Sequence, residues 1–148
     1  MAKKIAIFIT VIMFIVFLIP KVGQYKRYRD KENIKNLVIN NIEFLNECIE
    51  NENYDKILEL AEVKENHFWK NDSDGIIVEY FCKGYGIVPA GLYTGFYYTS
   101  VDEPTGFQGV THNLTKTKNG WEWKELNGDN FDYTEKITDY WYYYKAGF

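Results

Sequence analysis

Thr115-Lys116-Thr117-Lys118-Asn119-Gly120-Trp121-Glu122-Trp123-Lys124-Glu125-Leu126-Asn127-Gly128 is the stretch that decides the fold, because bulky and polar residues alternate around an Asn-Gly pair. Asn-Gly suits a two-residue type I′ hairpin, in which both central positions need positive φ. That turn predicts a register: Lys118 opposite Trp121, Lys116 opposite Trp123 and Leu114 opposite Glu125. Thr117 with Glu122, and Thr115 with Lys124, then fall on the water-facing side. The second turn signal, Leu126-Asn127-Gly128, sends the chain back again. A three-residue loop with Gly128 left-handed pairs Trp123 with Phe131 and Trp121 with Tyr133, which keeps the aromatics together.

Period-two alternation extends to both sides of this hairpin. Ile76, Val78, Tyr80 and Cys82 share one face of a strand over Ile76–Lys83, with Glu79 and Lys83 on the other. Further strands are predicted at Leu92–Ser100, Val110–Thr117 and Tyr140–Lys145, the last alternating Tyr140, Tyr142 and Tyr144 against Trp141 and Tyr143. Glycine- and proline-bearing loops at Gly84–Gly91 and Val101–Gly109 separate them.

Upstream the period changes to that of a helix. Ile34, Leu37, Val38, Ile42, Leu45, Cys48 and Ile49 form one apolar stripe, and no glycine or proline interrupts the chain between Tyr25 and Ile49. Asn53 suits the N-cap of a second, shorter helix carrying Ile57, Leu58 and Ala61 and ending near Glu65. The expected fold class is α+β: an N-terminal transmembrane helix, one or two further helices, then an antiparallel β-meander of about five strands. This order resembles cystatin-like and NTF2-like folds at the level of coarse architecture.

The N-terminus reads as a membrane anchor. Ile5–Ile19 is apolar except for Thr10, flanked by Lys3 and Lys4 before and by Lys21, Lys26, Arg27, Arg29 and Lys31 after. As a helix it spans roughly 22 Å, and snorkelling lysines with extension to Val22 bring it close to a full crossing. Cleavage after Gly23 would place Lys21 three residues upstream of the cut, a poor site for the peptidase, so the segment is expected to stay as a single-pass anchor in the lipid bilayer, with a cleaved signal as the alternative. The lysine and arginine count favours a cytoplasmic domain, whereas the start resembles an ordinary export signal. An extracytoplasmic domain is the expectation. The expected division is 1–24 membrane anchor, 25–70 helical segment and 71–148 antiparallel sheet, with 30–148 forming one globular domain.

Charge excludes one class of partner. The net charge is −4 even with the basic collar included, so the domain lacks the basic footprint that nucleic acid requires. Cys48 falls in the helical pattern and Cys82 in a strand, which reads as two separately buried thiols, with a bridge between them as the alternative.

Little in the chain suggests chemistry. No His/Cys/Asp spacing matches a metal site, no phosphate loop or nucleophile elbow is present, and no cofactor is expected. The two histidines, His67 and His112, are read as structural, and a small extracytoplasmic hydrolase centred on either is the alternative. Aromatic residues make up 18% of the chain, high enough to make them the better lead. Trp121, Trp123, Tyr133, Tyr142 and Tyr144 read first as a core beneath the helices, and as the functional alternative they suit a concave face that stacks on sugars or grips a peptide.

Asp74-Gly75-Ile76-Ile77-Val78-Glu79-Tyr80, Gly95-Phe96-Tyr97-Tyr98, Gly106-Phe107-Gln108-Gly109, Trp121-Glu122-Trp123-Lys124 and Tyr140-Trp141-Tyr142-Tyr143-Tyr144 carry a resemblance. Together, over the last half of the chain, they resemble small single-anchor hypothetical proteins of Gram-positive bacteria. That resemblance implies a tethered β-rich domain and brings no assigned activity. The expected function is a membrane-anchored, non-enzymatic interaction or ligand-binding domain with a protein, peptide or glycan partner. An immunity-type role against a toxin is one instance, and self-assembly through the long helix is a further class.

Overall fold

The computed structural model describes Gly23 and residues 25–71, 75–87, 90–110 and 113–148. The predicted anchor Ile5–Ile19 lies outside the described residues, as does His112. Among the described residues no helix is long and apolar enough to cross a membrane. The chain divides into two compact units, 1–33 and 34–148. In the first, residues 25–33 are helical.

The second unit opens with helical residues 34–40 (α1) and continues through α2 (Ile42–Glu50). Asn41 separates them. Its side-chain amide donates to the Leu37 carbonyl at 2.8 Å, competing with the backbone ladder, and its own N–H tightens onto Val38. The predicted stripe is buried: Ile34, Val38, Leu45 and Cys48 all enter the core. The second predicted helix is a short 3-10 turn, η1 (Tyr54–Glu59), which buries Ile57 and leaves Leu58 exposed, and Asn53 makes no side-chain cap.

Seven strands follow in one antiparallel sheet: β1 (Glu65–Asn71), β2 (Gly75–Ile87), β3 (Ala90–Thr99), β4 (Thr115–Lys116), β5 (Trp121–Lys124), β6 (Phe131–Thr138) and β7 (Trp141–Gly147). Their order is β1-β2-β3-β7-β6-β5-β4. The protein is therefore α+β, and its sheet consists of two meanders joined where β3 pairs with β7.

Four sequence expectations are corrected here. Residues 65–71 form an edge strand rather than a helix end and loop. An edge strand with only Phe68 and Trp69 as large apolar residues carries no alternation to read, and its stability comes from the ladder with β2. Among the described residues of the strand expected at Val110–Thr117, Thr115–Lys116 join the sheet and Val110 belongs to the segment that crosses it, while 111 and 112 lie outside the described residues.

The third correction concerns the Asn-Gly turn. Lys116 pairs with Trp121 and Thr115 with Glu122, a slip of two residues from the predicted register. Neither Asn119 nor Gly120 has positive φ, so no type I′ turn forms. Gly120 serves close approach instead, since a Cβ there would overlap the Thr134 carbonyl. A slip of two preserves the faces, so Lys116 and Trp121 still share one side.

The fourth correction is the next loop. Trp123 pairs with Asp132 and Trp121 with Thr134, not with Phe131 and Tyr133. The Glu125 amide bonds to the Asn130 carbonyl at 2.9 Å, closing a longer loop whose parity sends Phe131 and Tyr133 to the opposite face.

Both faces of the sheet are filled with aromatics. On the helix side Val78, Tyr80, Cys82, Phe96, Trp141 and Tyr143 meet the helices. Trp141 is fully buried, edge-on to Tyr98 at 5.3 Å, and its indole N–H donates to Asn46 Oδ1 at 2.8 Å. The second face carries Ile77, Tyr97, Tyr142 and Tyr144, with Trp69, Tyr93, Phe107 and Trp121 around them. Cys48 and Cys82 are both free and buried in the helix-side core.

Candidate functional site

Residues 101–110 cover the second face as a strap. Asp102 fixes one end. Its carboxylate accepts from the Lys136 ammonium at 2.6 Å, the Tyr140 amide at 2.8 Å and the Tyr142 hydroxyl at 3.1 Å. Tyr142 donates to the Asp102 carbonyl as well, at 2.7 Å. Burial works against the Asp102 charge, but the Lys136 ammonium and the Tyr140 and Tyr142 donors outweigh it and hold the carboxyl below its ordinary value.

Further along, the Thr105 amide donates to the Tyr97 hydroxyl at 2.9 Å, and that hydroxyl also meets Thr134 Oγ1 at 2.8 Å. Phe107 fills the apolar gap, packing at 5.6 Å on Tyr93, 5.5 Å on Tyr144 and 5.4 Å on Phe148. The Gln108 amide donates to Glu79 Oε2 at 2.9 Å.

Glu79 is the unusual group beneath this strap. It is 2% exposed, in the middle of a sheet face. Burial pushes its carboxyl up to about 7 and Asp132 adds to the rise, against the lowering by the Gln108 amide. Gly95 makes this neighbourhood possible. Lacking a side chain, it lets the Tyr144 ring lie across β3 toward β2, where the hydroxyl is buried against Glu79 without reaching hydrogen-bonding geometry.

A groove of about 370 Å³ opens at the 117–120 turn. Lys116, Lys118, Trp121, Glu135 and Lys136 line it together with the turn backbone. Lys116 Nζ sits 5.9 Å from the centre of the Trp121 ring, within reach of a cation–π contact. Glu135 is engaged by Lys35 at 2.8 Å and by the Tyr133 hydroxyl at 2.6 Å, and Lys136 by Asp102 and Asp139.

The five aromatics nominated by the sequence therefore separate. Tyr142 and Tyr144 are buried under the strap at 1% and 2% exposure. Tyr133 lies on the helix side, packed against that core. Trp123 is half-buried beside Asp132 on the strap side. Trp121 alone of the five lines the groove. Tyr142 and Tyr144 thus fill a core, as the first of the two sequence readings has it, but beneath the strap rather than beneath the helices.

His67 lies on edge strand β1, 5.7 Å from the Trp69 ring and 3.8 Å from Glu65, with much of its side chain in water. Among the described residues no group of three or more His, Cys, Asp or Glu side chains is placed to hold a metal ion. Sequence reasoning missed Glu79 and Asp102. A charged residue amid Ile76, Ile77, Val78 and Tyr80 was the available signal for Glu79, whereas nothing local distinguishes Asp102. No protein family, curated protein or solved structure matches this chain.

Proposed function

We propose that this chain is a membrane-anchored, extracytoplasmic and non-enzymatic binding domain, tethered through Ile5–Ile19, whose recognition surface is the groove beside Trp121. The observation that carries this reading is the indole of Trp121 at a groove walled by three lysines. Residues 34–148 hold ten lysines against nineteen Asp and Glu; in the groove Lys136 is held by Asp102 and Asp139 and Glu135 by Lys35, so Lys116 and Lys118 beside the indole supply the local positive charge in an acidic unit. An indole face beside ammonium groups suits a sugar ring carrying a negative substituent, with the ring stacked and the anion paired. The acidic surroundings disfavour long polyanions, which leaves a short anionic glycan as the fitting partner.

Two measurements test the reading. The full-length chain is expected in the membrane fraction, and protease added to intact cells is expected to degrade its domain. An unprocessed chain in the soluble fraction would refute the tether. For the groove, titration with glucuronate is expected to shift the Trp121 indole N–H resonance, with glucose weaker. A Trp121 resonance unmoved by both sugars would refute the groove.

A further inference from the structure

We propose that residues 101–110 form a pH-gated flap over the sheet, hinged at Asp102 and released at its tip when Glu79 ionises. The two ends are held by different chemistry. At the hinge, Asp102 is bonded to Lys136, Tyr140 and Tyr142, and its depressed carboxyl stays charged throughout the neutral range. At the tip, the Gly106 amide bonds to the Val110 carbonyl at 3.1 Å, closing a small turn that moves as a unit. The polar tie from that turn to the sheet is the Gln108 amide on Glu79 Oε2. Gln108 holds a left-handed φ of 57°, costly for a residue with a side chain, and that conformation accompanies the inward amide.

The groups facing Glu79 come from every neighbouring element among the described residues. His67 pairs with it from β1 and Tyr97 from β3. Tyr144 reaches it from β7, and the Asp132 charge acts on it from β6. None of these is a permanent cation, and Lys136 is committed to the hinge. The Gln108 amide by itself favours the ionised form, but burial outweighs it: a neutral Glu79 fits this dry site, whereas an ionised one must be hydrated. Among the described residues, lifting the tip breaks the Gln108 bond to Glu79 and the Phe107 ring contacts while leaving the strand ladders intact, which opens a route for water.

The sign follows from linkage. The folded-state value, about 7, lies above the ordinary carboxyl value of 4.5. The closed state is therefore favoured fully below the lower value and loses ground as pH rises through the upper one.

Amide hydrogen exchange on the full-length chain, corrected for intrinsic exchange, tests the flap. Protection of the Gln108 amide is expected to fall by up to about tenfold between about pH 6 and about pH 8, the free energy of one pKa unit. The Tyr140 amide, held by Asp102 at the hinge, is expected to keep its protection. In Glu79→Gln, which retains an acceptor but cannot ionise, Gln108 protection is expected to be flat with pH. Three results would overturn the proposal: pH-independent protection at Gln108 in the wild type, a Glu79→Gln variant as sensitive as the wild type, or loss of protection across the whole sheet together. Should that variant fail to fold, the carboxyl carbon shift of Glu79 in the wild type serves instead. Titration in step with Gln108 exchange supports the flap, and a midpoint in the ordinary carboxylate range overturns it.

Discussion

Replacing Gly95 with alanine sets backbone propensity against packing. In a strand interior, alanine is favoured over glycine by roughly 0.5–1 kcal/mol, because glycine gives up more chain entropy on folding. The structure predicts the opposite sign here. A Cβ on Gly95 would overlap the Tyr80 carbonyl oxygen and come within 2.8 Å of the Tyr144 ring. The Tyr80 carbonyl cannot yield easily, since Tyr80 pairs with Phe96 and Phe81 with Gly95 in the β2–β3 ladder. Tyr144 would have to leave its place over β3, opening space beside Glu79 and under Phe107. Overpacking of this kind costs about 1–3 kcal/mol, and a backbone clash belongs at the upper end. After subtracting the propensity gain, a net loss of about 2 kcal/mol remains, or roughly 10 °C in Tm for a unit of this size. Thermal unfolding followed by circular dichroism, with a denaturant titration for the free energy, measures it. An unchanged or raised Tm for Gly95→Ala would refute the claim that Tyr144 reaches Glu79 across an unoccupied position.

Other outcomes follow from the core. Trp141→Phe removes the indole N–H that donates to Asn46 and leaves a void beside Tyr80 and Phe96, so a loss of about 2 kcal/mol is expected in chemical denaturation. Combined with Asn46→Ala, the two losses should be less than additive, because both delete the same bond. Burial pushes the Cys82 thiol up to about 12 and raises that of Cys48, so neither is expected to react with an alkylating reagent in the native protein. Both should label on unfolding, a mass shift that counts two thiols, and rapid native labelling of either would contradict the core described here.

What could be read locally was read correctly where burial imposes a period. The stripe from Ile34 to Cys48 enters one core, and Ile76, Val78, Tyr80 and Cys82 share one face, because each segment must hide one side from water. Alternation of Trp141 and Tyr143 against Tyr142 and Tyr144 held for the same reason. Edge strand β1 escaped notice because a strand at the border buries too little to write a pattern into its residues.

Pairing is a different matter. β7 is last in the chain yet central in the sheet, and the pairing with distant β3, opposite its local hairpin partner β6, places it there. The unbroken aromatic run Trp141–Tyr144, buried on both faces, was the trace of that position in the sequence. Both loop registers slipped because turn residues were read for their own conformational preference, while Gly120 is needed for its close approach to Thr134.

The candidate site shows the same division. Sequence alone determined the apolar N-terminal run, the acidic character of residues 34–148 and the sides of the sheet on which Tyr80 and the run Trp141–Tyr144 stand, since these depend on composition and on a two-residue repeat. Only the tertiary structure decided that residues 101–110 would cover the second face, that Trp121 would line a groove while Tyr142 and Tyr144 lay beneath the strap, and that Glu79 would be sealed from water. Those outcomes depend on groups far apart in the chain meeting in space, where the cost of burying a charge is set by neighbours that no local pattern names.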